Sequence, residues 1–515
     1  MQKIRILDTT LRDGTQGTDI SLTVRDKVEL VKAFDNFGID YIELGWPWSN
    51  KKEVEAFREA GALKLKQAKI VAFGSTKRIG IDAKDDKNLL AIVESKAAVA
   101  CIFGKTWIEH IKKQLKTTEE ENLKAIEDSI KFLKSRNLEV MYDAEHYFDG
   151  FKDNSKYALK TLECAVNAGA DSVVLCDTNG GTLVDELGKI TEETVKFLKG
   201  KKVEIGIHCH NDSGLAVANT VEAVVKGCTL IHGTINGIGE RTGNVDLCQV
   251  LPILAIKKNM PLPQLKLKDI KKVSELVNTL TNKKPNNYQP FVGRFAFSHK
   301  GGVHVDAMMK GASYEHINPA LVGNATHTIL SELSGKANVV GVLKEFGILV
   351  EKDDDKAIAM LNKVEEMERK GYDIGQLDAE KFLLKEDFFG KERFKILSWS
   401  SVSEQNNGER SECSLVGKVN GKKREALAKV EGGPVDAMFH AVIKLLADNY
   451  KDVKKVRLLN YKVRIAEDKG AESSVRVYIE FSGDGKEWGT VGVSTNILEA
   501  SIEALYKGFR YFISS

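Results

Sequence analysis

The sequence predicts an α/β protein built around a closed (β/α)8, or TIM, barrel, followed by helical linker subdomains and a C-terminal α+β domain. Two observations predict the barrel: short β-rich runs alternate with amphipathic helical stretches up to about residue 260, and eight such units occur. Alternating strands and helices form a parallel sheet with right-handed crossovers. Eight units in about 250 residues match the size of a barrel. A doubly wound open sheet is the alternative, but no GxGxxG or P-loop motif follows the first strand.

Each predicted strand is a short apolar run that leads into a helical pattern. The eight strands are expected at IRILDTT (4–10), YIELG (41–45), KIVAFG (69–74), AVACIFG (98–104), LEVMYDAE (138–145), SVVLCDT (172–178), VEIGIHCH (203–210) and TLIHGTIN (229–236). The helix after the first strand is expected to open at Ser21, and the helix after the fifth strand is expected over YALKTLECAVNAG.

The pattern changes beyond residue 260. A Pro- and Lys-rich linker and a helix lead into a polar, Gly- and His-rich stretch at 286–336 and charged helical segments at 337–385. A composition shift near 386–412 precedes alternating strands and two amphipathic helices, PVDAMFHAVIKLLAD and ILEASIEALYKGF. We therefore expect three parts: a barrel domain (1–260), helical linker subdomains (261–390) and an α+β domain (391–515).

The composition argues against several classes of function. A formal net charge of +3 over 515 residues gives no reason to expect nucleic acid or a membrane as partner. The seven cysteines have no CxxC spacing, which favours reduced thiols. The N-terminus leads directly into a strand without a signal peptide, and no run of about 18 apolar residues occurs. We expect a cytoplasmic protein.

Two histidines at the end of the seventh strand form the strongest candidate site. His208 and His210 are two residues apart, so both side chains project to the same side of a strand. Catalytic groups gather at the carboxyl ends of barrel strands, where Asp13, just past strand one, could complete a divalent-cation site. Such ligands suit Zn, Mn, Co or Fe. An isolated HxH can equally be two hydrogen-bonded histidines, but LDTTLRDG and HCHND at two strand ends favour a metal.

Other polar residues follow the predicted strands. Arg12 could hold a carboxylate or stabilise an oxyanion, or it could form an ion pair at the barrel rim. Asn244, in the Gly-rich loop NGIGERTGN (236–244), could supply a fourth oxygen ligand. Glu145 is placed for acid–base work and Thr178 for binding a substrate carboxylate, although either could be a solvated residue at a strand end.

Three further residues are weaker candidates. Asp143 lies two residues before Glu145 on the same strand face, which makes it a polar candidate for the pocket wall. His299 and His304, in SHKGGVHVDAMMKG, lie beyond the barrel. Either could reach a barrel mouth through folding or from a partner subunit, or could lie on the surface.

Four motifs carry a resemblance to a known family. They are LDTTLRDGTQG (7–17), CDTNGG (176–181), HCHNDSGLAVANT (208–220) and NGIGERTGN (236–244). Together they resemble the acyl-CoA/2-oxoacid condensing enzymes, the isopropylmalate, citramalate and homocitrate synthases of the metal-dependent TIM-barrel superfamily. The resemblance spans nearly the whole chain, because it continues through SHKGGVHVDAMMK, INPALVG, EGGPVDA (431–437) and VGVSTNILEASIEAL (491–505).

The resemblance implies ligands, substrates and a catalytic pair. The implied metal ligands are Asp13, His208 and His210, with Asn244 near the metal. The metal would be Zn, Mn, Mg or Co, and acetyl-CoA would be the co-substrate of a 2-oxoacid. Arg12 and Thr178 resemble substrate-oriented groups, while Glu145 and His304 match the catalytic pair, the histidine coming from the other subunit. The family also has a tyrosine downstream of INPALVG, but GNATHTILSELSGK contains none.

The motifs DGTQG, YDAEHYFDGFKDN and CDTNGG look most like the citramalate synthase branch, which condenses acetyl-CoA with pyruvate. The C-terminal domain resembles one that regulates the enzyme, which implies a homodimer with isoleucine as allosteric effector. The same chemistry on 2-oxoisovalerate or 2-oxoglutarate is the alternative, since pocket size decides between oxoacids. The related lyases carry a Cys in the Gly-rich loop, which GIGERTGN lacks. A non-catalytic amino-acid sensor is disfavoured because every metal ligand and Arg12 are present.

Overall fold

A computed structural model describes residues 3–299, 307, 314–330, 334–351, 353–372, 377–404, 410–466 and 473–515. Its N-terminal part contains eight parallel strands that form a closed barrel, with β1 paired to both β2 and β8. The barrel strands are β1 (Arg5–Asp8), β2 (Tyr41–Gly45), β3 (Lys69–Ser75), β4 (Val99–Lys105), β5 (Glu139–Glu145), β6 (Ser172–Asp177), β7 (Glu204–Cys209) and β8 (Leu230–Gly233). The predicted (β/α)8 barrel is confirmed.

Helices surround the barrel, and all of them except the short α4 contribute apolar side chains to its buried core. They are α1 (Val24–Phe37), α2 (Lys51–Gly61), α3 (Lys87–Glu94), the short α4 (Ile108–His110), α5 (Glu119–Ser135), α6 (Tyr147–Ala168), α7 (Val184–Phe197), α8 (Ala216–Val225), α9 (Leu247–Pro252) and α10 (Ile270–Leu280).

Two helix starts differ from the prediction. Helix α1 begins at Val24 rather than near Ser21, because the Thr23 hydroxyl accepts a hydrogen bond from the Asp26 N–H and caps the helix. Helix α6 begins at Tyr147, before the predicted segment, and Asn154 interrupts it with φ −150° and ψ 87°. That break divides the helix into a first part at the barrel rim and a second part with the expected apolar periodicity.

The interior of the barrel changes character along its axis. Apolar side chains such as Leu7, Val99 and Leu230 fill the middle. Towards the carboxyl ends of the strands, the inward positions become polar: Asp143 on β5 and His208 on β7. Because side chains alternate along a strand, the residue two positions after each of these also faces the barrel mouth.

The chain divides into two compact units, Met1–Phe297 with Ile317–Ala325, and Ser298–His316 with Thr326–Ser515. These two units do not decide whether the domain boundaries predicted at residues 260 and 390 are correct. The division into three parts stays a prediction. In the described ranges, no helix is both long and apolar enough to cross a membrane.

The second unit contains helices and two three-stranded antiparallel sheets. Its elements are β9 (Ser298–His299), β10 (His327–Thr328), α11 (Lys336–Glu345), α12 (Asp355–Arg369), α13 (Asp378–Phe389), β11 (Phe394–Glu404), β12 (Arg410–Val419), β13 (Lys422–Val430), α14 (Pro434–Leu446), β14 (Arg457–Ile465), β15 (Val475–Gly483), β16 (Lys486–Ser494) and α15 (Ile497–Ser514). Each sheet is followed by one helix, so the βββα pattern occurs twice.

The prediction missed strand β11. It lies at the edge of its sheet, pairs only with β12 among the described strands, and most of its residues are exposed or half-buried. Its sequence, FKILSWSSVSE, is rich in serine because one side faces solvent. The composition therefore resembled a linker.

Candidate active site

The histidines of β7 and the turn after β1 meet at the mouth of the barrel. His208 Nε2 lies 3.4 Å and His210 Nε2 lies 3.9 Å from the same carboxylate oxygen of Asp13. All three side chains are buried, and one ligand atom from each lies within 4.8 Å of the others. The period of two along β7 places both imidazoles on the same side, and the turn after β1 brings Asp13 to them.

The charges in this group favour a bound cation. Burial alone would raise the pKa of the Asp13 carboxyl, but Arg12 and the two histidines hold that pKa well below its ordinary value. Burial, aided by the charge of His208, lowers the pKa of His210 to about 4. Burial would also lower the pKa of His208, but the hydrogen bond to Asp13 raises it. Asp13 and His210 can therefore bind a metal without first losing a proton, whereas His208 would release its proton on binding.

Unpartnered acceptors show that these residues fit a metal. Asp13 Oδ1 and Asn244 Oδ1 are buried, and neither has a hydrogen-bond partner among the described residues. Asn244 forms an isolated β-bridge with His210, so its backbone runs beside one of the histidines. A buried acceptor without a donor is costly unless an ion or water satisfies it. Nitrogen and oxygen donors in this arrangement suit a divalent metal.

Arg12 is fixed from three sides. Its Nε donates a hydrogen bond of 2.7 Å to Glu43, one of its terminal nitrogens lies 3.2 Å from Asp13, and its guanidinium stacks 3.7 Å above the ring centre of Phe73. The predictions missed Glu43, although a carboxylate within the apolar strand YIELG was a usable indication. Glu43 holds the guanidinium in one orientation beside the Asp13 carboxylate.

A cavity of about 230 Å³ brings the predicted residues together. Its lining includes Arg12, Asp13, Asp143, Glu145, Thr178, His208 and His210. Asn244 instead lines a second cavity beside this one. His304 lies outside the described residues. His299 lies in β9, which belongs to the second unit.

The two carboxylates of β5 have different environments. Glu145 forms an ion pair with Lys105, at the end of the neighbouring strand β4. Burial raises the pKa of Asp143 to about 6, which the charge of His208 partly opposes. The predictions missed Lys105, because its position opposite Glu145 depends on the register between β4 and β5.

One wall of the cavity is aromatic. Phe73 and Phe103 stack with ring centres 5.5 Å apart, and Trp46 meets them edge-on at 5.7 and 6.0 Å. The Trp46 ring is fixed by a hydrogen bond of 2.7 Å from its Nε1 to Asn88. The predictions missed this wall, because the sequence pattern does not separate an aromatic that lines a cavity from one in the core.

The second cavity, of about 440 Å³, lies on the other side of the Gly-rich loop. Gln16 and Glu240 line the first cavity, whereas their neighbours Gly17, Gly239 and Arg241 line the second. The remaining walls of the second cavity are rich in amide side chains and carry two lysines, Lys283 and Lys284. The two cavities therefore adjoin along the same pair of loops.

Comparison with known proteins agrees with this architecture. The HMGL-like family model matches residues 3–277, a homocitrate synthase post-HMGL domain matches 291–371, and a LeuA allosteric (dimerisation) domain matches 373–513. An (R)-citramalate synthase from Sulfolobus acidocaldarius is 44% identical over 100% of this chain and 97% of its own length. One from Geobacter sulfurreducens is 43% identical over 99% of this chain and 98% of its own. A 2-isopropylmalate synthase from Methanocaldococcus jannaschii is 31% identical over 99% and 95%.

An HMGL-like barrel with a buried Asp/His/His group, followed by a LeuA-type domain, defines an acyl-CoA condensing enzyme, a transferase. Within this class, five (R)-citramalate synthases match the chain at 37 to 44% identity, whereas 2-isopropylmalate synthases match at 30 to 31%. The chain belongs to the citramalate synthase family.

Proposed function

We propose that the protein condenses acetyl-CoA with pyruvate to give citramalate and free CoA. One observation carries the proposal: Arg12 and the Asp13/His208/His210 group share a small cavity with an aromatic wall. An aromatic wall would limit the size of the oxoacid side chain, and the methyl group of pyruvate is smaller than the isopropyl group of 2-oxoisovalerate. The relatives at 37 to 44% identity, named for citramalate, support the same choice of substrate.

We further propose that Asp13, His208 and His210 hold a divalent metal, with the amide oxygen of Asn244 as the fourth ligand. Zn, Mn, Mg or Co would suit such a site. When bound, the metal would polarise the carbonyl group of the 2-oxoacid and stabilise negative charge on its oxygen. The unpartnered oxygens of Asp13 and Asn244 support this assignment.

Thr178 and Arg12 would orient the oxoacid. The Thr178 hydroxyl oxygen accepts a hydrogen bond of 2.8 Å from the His146 N–H, which leaves its own proton free for the substrate carboxylate. The Arg12 guanidinium lies in the same cavity, where it would stabilise the charge that develops on the keto oxygen. Asp143 would form a polar part of the pocket wall.

Glu145 and His304 of the partner subunit would move the protons. A base removes a proton from the acetyl methyl group, and the resulting carbanion forms a bond to the keto carbon of pyruvate. The new alkoxide is protonated, and water then cleaves the thioester to release CoA. Lys105, paired with Glu145, would hold that carboxylate in place at the end of β5.

A thiol-release assay with acetyl-CoA tests the function. We expect kcat/KM for pyruvate to exceed that for 2-oxoisovalerate at least about tenfold, since each methyl group adds to discrimination in a tight pocket. The assay should also include 2-oxobutyrate and 2-oxoglutarate, with chromatography to identify citramalate. Faster CoA release with 2-oxoisovalerate or 2-oxoglutarate would overturn the choice of pyruvate but keep the class of reaction.

We also propose that the 440 Å³ cavity receives the CoA part of the co-substrate. It adjoins the metal group, its amide side chains can hydrogen-bond the amides of the pantetheine arm, and its lysines can meet the phosphates. Lys283 donates a hydrogen bond of 2.6 Å to the Thr18 carbonyl, so it fixes one rim of the cavity. Lys284 is exposed on the same rim.

Replacing Lys284 by Ala should weaken acetyl-CoA binding. We expect KM for acetyl-CoA to rise about fivefold to tenfold, the effect of losing one charged hydrogen bond, while KM for pyruvate stays unchanged. Lys64→Ala is the matched control, because Lys64 is an exposed lysine in the loop that enters β3, at the opposite end of the barrel. Equal effects of the two substitutions would remove the cavity from the CoA site.

The C-terminal domain supports two proposals about regulation. We infer that it joins two chains into a homodimer and binds isoleucine, which lowers activity. Its match to a LeuA allosteric (dimerisation) domain supports both roles. Exposed apolar side chains on its sheets, including Val402 and Ile465 at 58% and 66% exposure, are suited to burial in an interface.

We expect isoleucine to inhibit the full chain, which should have the mass of a dimer in light scattering. Leucine at the same concentration should leave the rate unchanged. A chain that ends at residue 390 lacks the proposed binding domain, so whatever turnover it keeps should not respond to isoleucine. Isoleucine inhibition that survives this truncation would contradict the assignment.

A further inference from the structure

His146 has an unusual backbone conformation directly after the Glu145 carboxylate. Its φ of 53° and ψ of 38° lie in the left-handed region, which few residues other than Gly adopt, Asn, Asp and His most often among them. His146 is the N-cap residue of α6, yet its side chain makes no capping hydrogen bond to the helix. Such a conformation persists when the surroundings fix it, and it is most common at functional sites.

One hydrogen bond ties His146 directly to the loop after β6, and a second reaches that loop through Asp149 of α6. Its backbone N–H donates to the Thr178 hydroxyl oxygen at 2.8 Å, and its Nδ1 lies 2.9 Å from a carboxylate oxygen of Asp149. The same Asp149 oxygen accepts a hydrogen bond of 3.0 Å from Asn179. A closed set of contacts therefore joins the end of β5, the first turn of α6 and the end of β6.

The His146 ring also packs against the segment after β4. Its centre lies 4.5 Å from that of His110 and 5.7 Å from that of Trp107. The same segment holds Glu145, because the Thr106 hydroxyl donates to the Glu145 carbonyl at 2.5 Å. The segments after β4 and β6 thus both contact His146, which directly follows β5.

We propose that His146 is a positioning residue that sets the Thr178 hydroxyl relative to the Glu145 carboxylate. The left-handed turn directs its N–H at Thr178, while its side chain holds the turn against Asp149 and Trp107. The inference rests on the proposed function, in which Thr178 binds the oxoacid carboxylate and Glu145 moves a proton. His146 itself does not line the cavity, so it acts through these two residues.

His146→Gly tests the role of the side chain, since Gly adopts the left-handed conformation freely and keeps the N–H. We expect kcat to fall about tenfold to a hundredfold, the effect of a small misplacement of reacting groups. KM for the oxoacid should rise about tenfold, whereas KM for acetyl-CoA should change less than about twofold. His146→Asn should recover part of the loss, because Asn tolerates this conformation and its amide can donate to Asp149.

Asn137→Gly is the matched control, since Asn137 is an exposed left-handed residue (φ 61°) before β5, at the other end of the barrel. The His146→Gly change should raise KM for the oxoacid much less in a Thr178→Val background, because the two residues act together. Additive effects of the two substitutions would overturn the proposal. So would a loss of melting temperature with both KM values unchanged.

All variants are measured with the oxoacid that wild type turns over fastest. Failure of the proposed function would be distinguishable from failure of the positioning role. In the thiol-release assay, the wild-type protein would then prefer another oxoacid or release no CoA. If no CoA is released, calorimetric binding of pyruvate to the metal-loaded chains replaces KM. An unchanged pyruvate affinity in His146→Gly would then overturn the positioning role.

Discussion

Replacing His208 by Ala should abolish both metal binding and turnover. Asp13, His210 and Asn244 would remain, but one imidazole with a carboxylate and a neutral amide oxygen makes a much weaker divalent site than the full set. We expect bound metal to fall from about one equivalent per chain to almost none, and kcat/KM to fall at least about 10³-fold, or about 4 kcal/mol in transition-state stabilisation. Elemental analysis of the purified protein and the thiol-release assay measure the two effects.

His440→Ala is the control for His208→Ala. It also removes an imidazole, from a half-exposed position on α14 beside Asp436. That variant should keep wild-type metal content and rate. Circular dichroism should show an intact fold in both proteins. A metal-free His208→Ala protein with wild-type activity would contradict the assignment of the metal site and the need for a metal.

Local regularities made the barrel and the metal group predictable. Alternating strand and helix patterns predicted the eight strands. The spacing of apolar residues along a strand or a helix follows from the geometry of that element alone. The HxH spacing on β7 predicted that His208 and His210 face the same side, and the structure places their Nε2 atoms within 4 Å of Asp13. The barrel topology supplied the remaining step, since it gathers the carboxyl ends of distant strands.

The rest of the site depends on contacts between elements. Glu43 reaches Arg12 from β2, and Lys105 reaches Glu145 from β4, so both pairs depend on the register of neighbouring strands. The left-handed turn at His146 depends on contacts with the segments after β4 and β6. None of these contacts has a periodic pattern along the chain. Strand β11 was missed for a related reason, because an exposed edge strand need not be apolar.

Arg12→Lys should remove most of the activity while the metal stays bound. Lysine keeps the positive charge beside Asp13 but lacks the planar fork that bonds Glu43 and Asp13 together and stacks on Phe73. We expect kcat to fall about 10²-fold to 10³-fold, as when a fixed donor at a developing oxyanion is lost. Metal content should match wild type, because Asp13 and the two histidines are unchanged.

Arg25→Lys is the matched control, since Arg25 is an exposed arginine in the first turn of α1. Its rate should equal that of wild type. If Arg12 acts on the charge that develops at the keto oxygen, the loss in Arg12→Lys should appear mainly in kcat, with a smaller change in KM for pyruvate. A rise in KM with kcat unchanged would show instead that Arg12 only binds the ground-state carboxylate. Loss of metal from Arg12→Lys would mean that Arg12 organises the ligands, and the oxyanion role would have to be abandoned.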